Sequence, residues 1–266
     1  MRCLPTRVRN CIVATTLVAV ACSLSKAGTQ SNEVERKQIL TTARQRYYNL
    51  RQAGLIEFQV NLKPNWQVVA DFKSNTDALK VLEGIHFSMS IDSESKLRLD
   101  RWTELIPTSE KTSDYMKKIF DDMDQAVSRF ISTWSVFMLT SPFSPGDSSY
   151  EITEFADHYQ FSRPEGATNV VTVTGKDFKI SEIRVSGESF KASLKPVLKE
   201  TPGGFILNGY ASRYETASRT TLVEVRLEYQ LVSGLQLPRK VNVNTLYEGK
   251  PAQMEWLFSD YQVKVR

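Results

Sequence analysis

Strict alternation of apolar and polar residues constrains the fold of this chain more than any other feature of its sequence. The longest example covers residues 223–231, where Val223, Val225 and Leu227 alternate with Glu224 and Arg226. Successive side chains of a β-strand point to opposite faces, so this pattern predicts a strand with one buried and one solvated face. Antiparallel sheets commonly have this two-sided character.

Similar alternation marks further strands on both sides of the middle of the chain. Residues 56–62 alternate and end at Pro64, and residues 85–91 and 97–99 flank the polar stretch 92–95. Two alternating runs joined by a short polar segment predict a β-hairpin. After residue 150 the pattern is one of short strands separated by glycine- and proline-containing turns. We therefore expect most of the chain to form one antiparallel sheet.

Two segments change to the helical period. Asn32 suits a helix N-cap, Glu35 follows three residues later, and apolar residues then recur at Ile39 and Ala43 up to a stop at Gly54. A longer helix is predicted over residues 113–139, and its charged opposite side excludes a membrane span. The expected fold class is α+β: a strongly curved antiparallel sheet, or half-open barrel, with helices lidding its concave face.

The first 21 residues have the layout of a secretion signal. Arg2, Arg7 and Arg9 precede the apolar stretch 11–21, which is shorter than the roughly 20 residues that a membrane-spanning helix needs. The formal net charge is +4, and three of the 34 basic residues lie in this segment, so the remainder is nearly neutral. We expect export to the periplasm or outer membrane, and no nucleic acid partner.

Cys22 directly follows Ala21, and the other small residue, Ala19, lies three positions before it. The run 19–22 resembles the lipobox of bacterial lipoproteins, in which the cysteine is acylated and anchors the chain to a membrane. The alternative is ordinary cleavage, either at the same site or after Ala27. The expected organisation is a signal peptide over residues 1–21, a tether over residues 22–31, and one domain over residues 32–266.

The sequence offers little that could support catalysis. All three cysteines lie in the first 22 residues, so the mature domain cannot hold an internal disulfide or a cysteine nucleophile. His86 and His158 are the only histidines and lack metal-ligand spacing, although His158 adjoins Asp157. Nucleophile-elbow, dinucleotide and phosphate-loop motifs are absent. We expect no enzyme activity, metal site or cofactor, although a site converging from distant loops stays open.

Three stretches of the chain resemble the LolA/LolB family of bacterial lipoprotein carriers. Residues 43–50 lead into the strand at 56–62, residues 237–241 form a late strand entry, and residues 256–263 form a closing strand. The resemblance covers most of the mature chain, which is longer than the family pattern between Ser109 and Tyr150 and after Gly187. It implies a half-open β-barrel with a helical lid over an apolar cavity that accepts acyl chains.

Two functions follow as the main hypotheses. The first is an envelope protein that binds lipid or lipoprotein acyl chains, in lipoprotein sorting or lipid transport. The second is a structural or assembly module with the same fold and no ligand, because the same apolar residues would equally form a closed core. The candidate ligand-binding residues are Phe58, Val60, Phe87, Met89, Phe130, Trp134, Met138, Val225 and Leu227.

The lipobox resemblance generates a direct prediction. Cys22→Ser should release the protein from membranes and abolish incorporation of labelled fatty acid, because no other cysteine would remain in the mature chain. Membrane fractionation and metabolic labelling measure the two effects. Unchanged fractionation, or a mature N-terminus at Gly28, would show that the signal is cleaved without lipidation.

Overall fold

The computed structural model describes residues 29–30, 32–66, 68, 82–103, 110–144, 150–247 and 249–266. The predicted signal, most of the tether and Cys22 lie outside these residues. The described helices are α1 (Glu33–Gln45) and α2 (Glu110–Met138). The described strands are β1 (Thr29–Gln30), β2 (Leu55–Pro64), β3 (Ile85–Ile91), β4 (Leu97–Thr103), β5 (Glu151–Glu154), β6 (His158–Glu165), β7 (Thr168–Gly175), β8 (Ile180–Ser186), β9 (Phe190–Thr201), β10 (Gly204–Thr216), β11 (Thr220–Val232), β12 (Leu235–Tyr247) and β13 (Lys250–Val265).

The strands form a single open sheet in the order β1-β5-β6-β7-β8-β9-β10-β11-β12-β13-β2-β3-β4. Every neighbouring pair is antiparallel, and β5 to β13 follow one another as a continuous meander. Strand β2 then joins the far side of β13, so that the first and last long strands of the domain lie together. The prediction of an α+β fold dominated by an antiparallel sheet is confirmed.

Helix α1 begins as predicted and ends earlier than predicted. The Asn32 side chain accepts a hydrogen bond of 2.9 Å from the Glu35 backbone N–H, which satisfies one of the free donors of the first turn. The helix ends at Gln45 because residues 46–48 turn and pair with the start of β10: the Phe205 N–H donates to the Arg46 carbonyl, and the Tyr48 N–H donates to the Phe205 carbonyl. The predicted stop at Gly54 belongs instead to the turn before β2.

Helix α2 packs its apolar side against one face of the sheet. The Phe130 ring lies 5.9 Å from that of Trp256 and 6.3 Å from that of Phe258, both on β13. The Trp134 ring meets Phe58 on β2 edge-on at 6.4 Å. These rings belong to a single hydrophobic cluster that includes side chains of α1, α2 and most of the strands. These buried aromatic residues therefore form part of the contact surface of α2 on the sheet.

A β-bulge in β10 depends on a glycine. The pairing of β10 with β9 shifts register between Leu207 and Gly209. A Cβ atom built on Gly209 would lie 2.5 Å from the Val225 carbonyl oxygen on β11. Only glycine allows the two backbones to approach this closely.

We expect Gly209→Ala to destabilise the fold by roughly 3 kcal/mol, because the β10 and β11 backbones must separate to admit the methyl group. The control is Gly166→Ala, which places alanine at a φ of +59° with no atom within 4 Å of the new Cβ. That change should cost only about 1 kcal/mol of backbone strain. Urea denaturation measures both free energies of unfolding, and equal losses would contradict the close approach at Gly209.

Candidate functional site

An apolar groove lies between α2 and strands β6 to β10, where α2 does not fill the space above the sheet. The face of the sheet that carries Phe58, Val225 and Leu227 is termed the inner face, and the opposite one the outer face. The cavity, termed the α2 groove, has a volume of about 450 Å³. Its lining residues are Ser132, Thr133, Val136, Phe137, Pro142, Arg163, Val170, Thr172, Ile183, Val185, Ala192, Ser193, Leu194, Ser212, Arg213 and Tyr214.

Strand register explains the sheet wall of the groove. Cα partners in adjacent antiparallel strands project from the same face, and two cross-strand rows meet there. One row runs Ser212, Leu194, Ile183 and Thr172, and the next runs Tyr214, Ala192, Val185, Val170 and Arg163. Both rows belong to the inner face, so the groove floor is a mostly apolar patch that crosses strands β6 to β10.

Three of the four helix residues that line the groove, Ser132, Thr133 and Val136, are smaller than the fourth, Phe137. The Ser132 hydroxyl donates to the Ser128 carbonyl at 2.8 Å, and the Thr133 hydroxyl donates to the Arg129 carbonyl at 3.3 Å. Because both hydroxyls bond within the helix, they do not require polar partners in the groove. The helix wall of the groove therefore offers no hydroxyl group that needs a polar ligand.

Apolar side chains of the groove reach solvent. Val136 on α2 is 38% exposed and Tyr214 on β10 is 45% exposed, whereas Phe137 at the base is buried. Large exposed apolar side chains that face one cavity are typical of ligand or partner sites. The groove is thus closed at its base and open along its mouth.

The nine predicted ligand-binding residues lie together in the core beside the groove. None of these side chains, Phe58, Val60, Phe87, Met89, Phe130, Trp134, Met138, Val225 and Leu227, is more than 4% exposed. All belong to the main hydrophobic cluster. Phe58 also lines a separate cavity of about 440 Å³, and none of the nine is among the lining residues of the α2 groove. Their contact with a ligand stays a prediction.

The sequence patterns did not identify the residues that line the groove. Val136 is not among the predicted ligand-binding residues, and Ile183 and Val185 fall in the region after residue 150 that is predicted only as short strands and turns. A usable signal was present at positions 132, 133 and 136, which share a helical face next to Phe130 and Trp134. Ser132, Thr133 and Val136 are much smaller than these two aromatic residues, so this face fills less of the space above the sheet.

Each histidine packs on an aromatic ring, and neither belongs to a group of described side chains that could hold a metal ion. His158 Nδ1 lies 2.8 Å from Asp157 Oδ1, and its ring stacks on Phe155 at 4.3 Å. The His86 ring stacks on Trp102 at 5.4 Å. Within the described part of the chain, no three His, Cys, Asp or Glu side chains are grouped so that they could hold a metal ion. No described helix has both the length and the apolar composition required to cross a membrane.

Four of the tyrosines in the described chain have strongly raised phenol pKa values because they are buried. Burial raises the pKa of Tyr210 to about 12, and it also raises the pKa values of Tyr47, Tyr229 and Tyr261. The Tyr261 hydroxyl donates to the Pro238 carbonyl at 2.7 Å, and the Tyr229 hydroxyl donates to the Leu207 carbonyl. These phenols are neutral hydrogen-bond donors that tie side chains to the backbone, and they are unsuited to proton transfer near neutral pH.

No family model, curated protein or solved structure matches this chain. Function must therefore be argued from the geometry of the α2 groove and from the sequence.

The Tyr210 pKa gives a prediction about alkaline stability. The unfolded chain loses the phenolic proton near pH 10.0 and the folded chain near pH 12, so the unfolded state binds fewer protons between these values. The contribution of Tyr210 to stability is complete below pH 10 and falls by up to about 1.4 kcal/mol per pH unit above it. Tyr210→Phe should flatten the decline of unfolding free energy over this window, as measured by urea denaturation across pH. The unfolding free energies of the two proteins at neutral pH give any packing loss that the substitution causes. An unchanged dependence of stability on pH between 10 and 12 would contradict the raised pKa of Tyr210.

Proposed function

We propose that this protein binds a long apolar ligand, the acyl chain of a lipid or lipoprotein, in the α2 groove. One observation carries the proposal: a cavity of about 450 Å³ has a mostly apolar sheet wall and opens to solvent beside the exposed Val136 and Tyr214. Its volume falls in the range of small-molecule pockets, about 300–1,000 Å³. Burial of hydrocarbon would supply the affinity without elaborate polar recognition.

The energy of such binding comes from removing methylene groups from water. Each buried methylene contributes about 0.8 kcal/mol, so affinity should rise roughly fourfold with each methylene added. The gain should stop when the chain fills the groove. A series of saturated fatty acids therefore measures the usable length of the site.

We also propose the shape of the fold and the location of the protein. The sheet would curve around α2 as a half-open barrel with the helices as a lid, as in the LolA/LolB family that the sequence resembles. The apolar stretch 11–21 and Cys22 support export and a lipid anchor. The chain is then a non-enzymatic envelope protein of the periplasm or outer membrane, acting in lipoprotein sorting or lipid transport.

The filled core favours a second candidate function. Phe130, Trp134 and Phe58 are buried: Trp134 packs on Phe58, and Phe130 packs on Trp256 of β13. A domain whose core is complete without a ligand could serve as a structural or assembly module of the envelope. The two candidates differ in one respect that can be measured, which is whether hydrocarbon binds saturably in the α2 groove.

Val136→Trp should test the proposal by filling the groove from its helix wall. We expect it to weaken the binding of hexadecanoate at least tenfold, while the free energy of unfolding changes by less than about 1 kcal/mol because Val136 is partly exposed. Calorimetric titration and urea denaturation provide the two measurements. The matched control is Val197→Trp, since Val197 is 56% exposed on β9 and, beside Gly209, lies outside the groove.

The outcomes separate the candidates. Saturable binding that Val136→Trp weakens and Val197→Trp leaves unchanged supports the lipid-binding function. Binding that neither substitution affects would place the ligand elsewhere and contradict the assigned site. If the parent protein binds no fatty acid of any chain length, the structural module is the better account.

A further inference from the structure

We propose that the ligand of the α2 groove is an anionic amphiphile whose carboxylate or phosphate head group is bound by Arg163. This inference rests on the proposed function, because it assigns a head-group site to the same groove. It goes further in naming the charge of the ligand and the residue that recognises it.

The register of the sheet brings Arg163 to one end of the apolar groove floor. Arg163 on β6 is the Cα partner of Val170 on β7, which pairs in turn with Val185 on β8. Arg163 thus ends the row that continues through Ala192 to Tyr214. A chain lying along this row would place one end at the guanidinium group.

Arg163 is the only charged side chain that these inner-face rows bring to the groove within the described part of the chain. Arg213 also contributes to the lining, but its Cα partners are Ser193 and Leu222, which project from the outer face. There the Arg213 guanidinium pairs with Glu215. The charge that a ligand meets inside the groove is therefore that of Arg163.

The surroundings of Arg163 leave it able to bind an anion. Its side chain is 23% exposed, and its guanidinium lies over the Tyr150 ring at 5.6 Å from the ring centroid. A hydrogen bond of 3.0 Å joins Arg163 Nη2 to Glu165, whose side chain is 59% exposed. This bond occupies one of five guanidinium N–H donors. Partial burial strengthens an ionic hydrogen bond, and the solvated Glu165 is the weaker competitor for the same cation.

A carboxylate and its neutral ester separate charge recognition from hydrocarbon burial. At slightly alkaline pH the protein should bind dodecanoate, or dodecyl phosphate, about tenfold or more tightly than methyl dodecanoate. The relative affinities of the first two show which anion the site prefers. Calorimetric titration of each compound below its micelle concentration gives the affinities.

Three substitutions test the residue. Arg163→Gln should abolish the preference for the anion while leaving the affinity for the methyl ester unchanged. Glu165→Gln should act in the opposite direction and tighten dodecanoate binding, because it removes the competing carboxylate. Arg184→Gln is the matched control, since Arg184 lies on β8 with the outer-face residues Ser193 and Val171 as Cα partners and pairs with Glu182.

The results distinguish this inference from the function on which it rests. Equal affinities for dodecanoate and methyl dodecanoate in the parent would overturn the role of Arg163 and leave hydrocarbon binding intact. A preference for the anion that persists in Arg163→Gln would also overturn it. Failure of all three compounds to bind would overturn both the head-group site and the lipid-binding function.

Discussion

The packing of aromatic rings between α2 and the sheet is the interaction on which the rest of this structure depends. Phe130 lies against Trp256 and Phe258, and Trp134 lies edge-on against Phe58. These contacts join a helix to two strands, β13 and β2, that are far apart in the sequence. Offset and edge-on aromatic pairs contribute about 0.5–1.5 kcal/mol each beyond burial of their area. They therefore fix where the helix lies across the sheet, and with it the position of the groove.

Polar contacts at the end of α2 complete this placement. The Leu50 N–H donates to the Met138 carbonyl at 2.8 Å, and the Asn49 amide donates to the Leu139 carbonyl at 3.1 Å. The Arg44 guanidinium donates to the carbonyls of Phe143 and Ser144. Leu50 and Asn49, in the segment that follows α1, thus bond carbonyls at the end of α2, and Arg44 of α1 bonds two carbonyls a few residues beyond it. Tyr47 ties the same segment to the sheet by donating to the Phe178 carbonyl and accepting from the Ile180 N–H.

Sequence periodicity predicted both described helices, most of the strands and the buried face, but not how much of the sheet the helix covers. On β10, Tyr210 and Tyr214 project from the same face, yet Tyr210 is buried under α2 and Tyr214 is largely exposed. A two-residue period identifies the face of a strand but carries no information about how far along it a helix reaches. The bulge before Gly209 and the pairing of residues 46–48 with Phe205 also depend on tertiary contacts that local patterns do not encode.

A change of side-chain size around α2 accounts for a filled core and an open groove beneath one helix. The large rings of Phe130 and Trp134 occupy the space over β2 and β13. The neighbouring helical face carries Ser132, Thr133 and Val136, which are too small to reach the floor formed by Ile183 and Leu194. An apolar floor left uncovered in this way forgoes the free energy that burial would supply. On the proposed function, a bound acyl chain would recover that free energy without disturbing the aromatic contacts that hold the helix, and the proposed site would then use other residues than those that stabilise the fold.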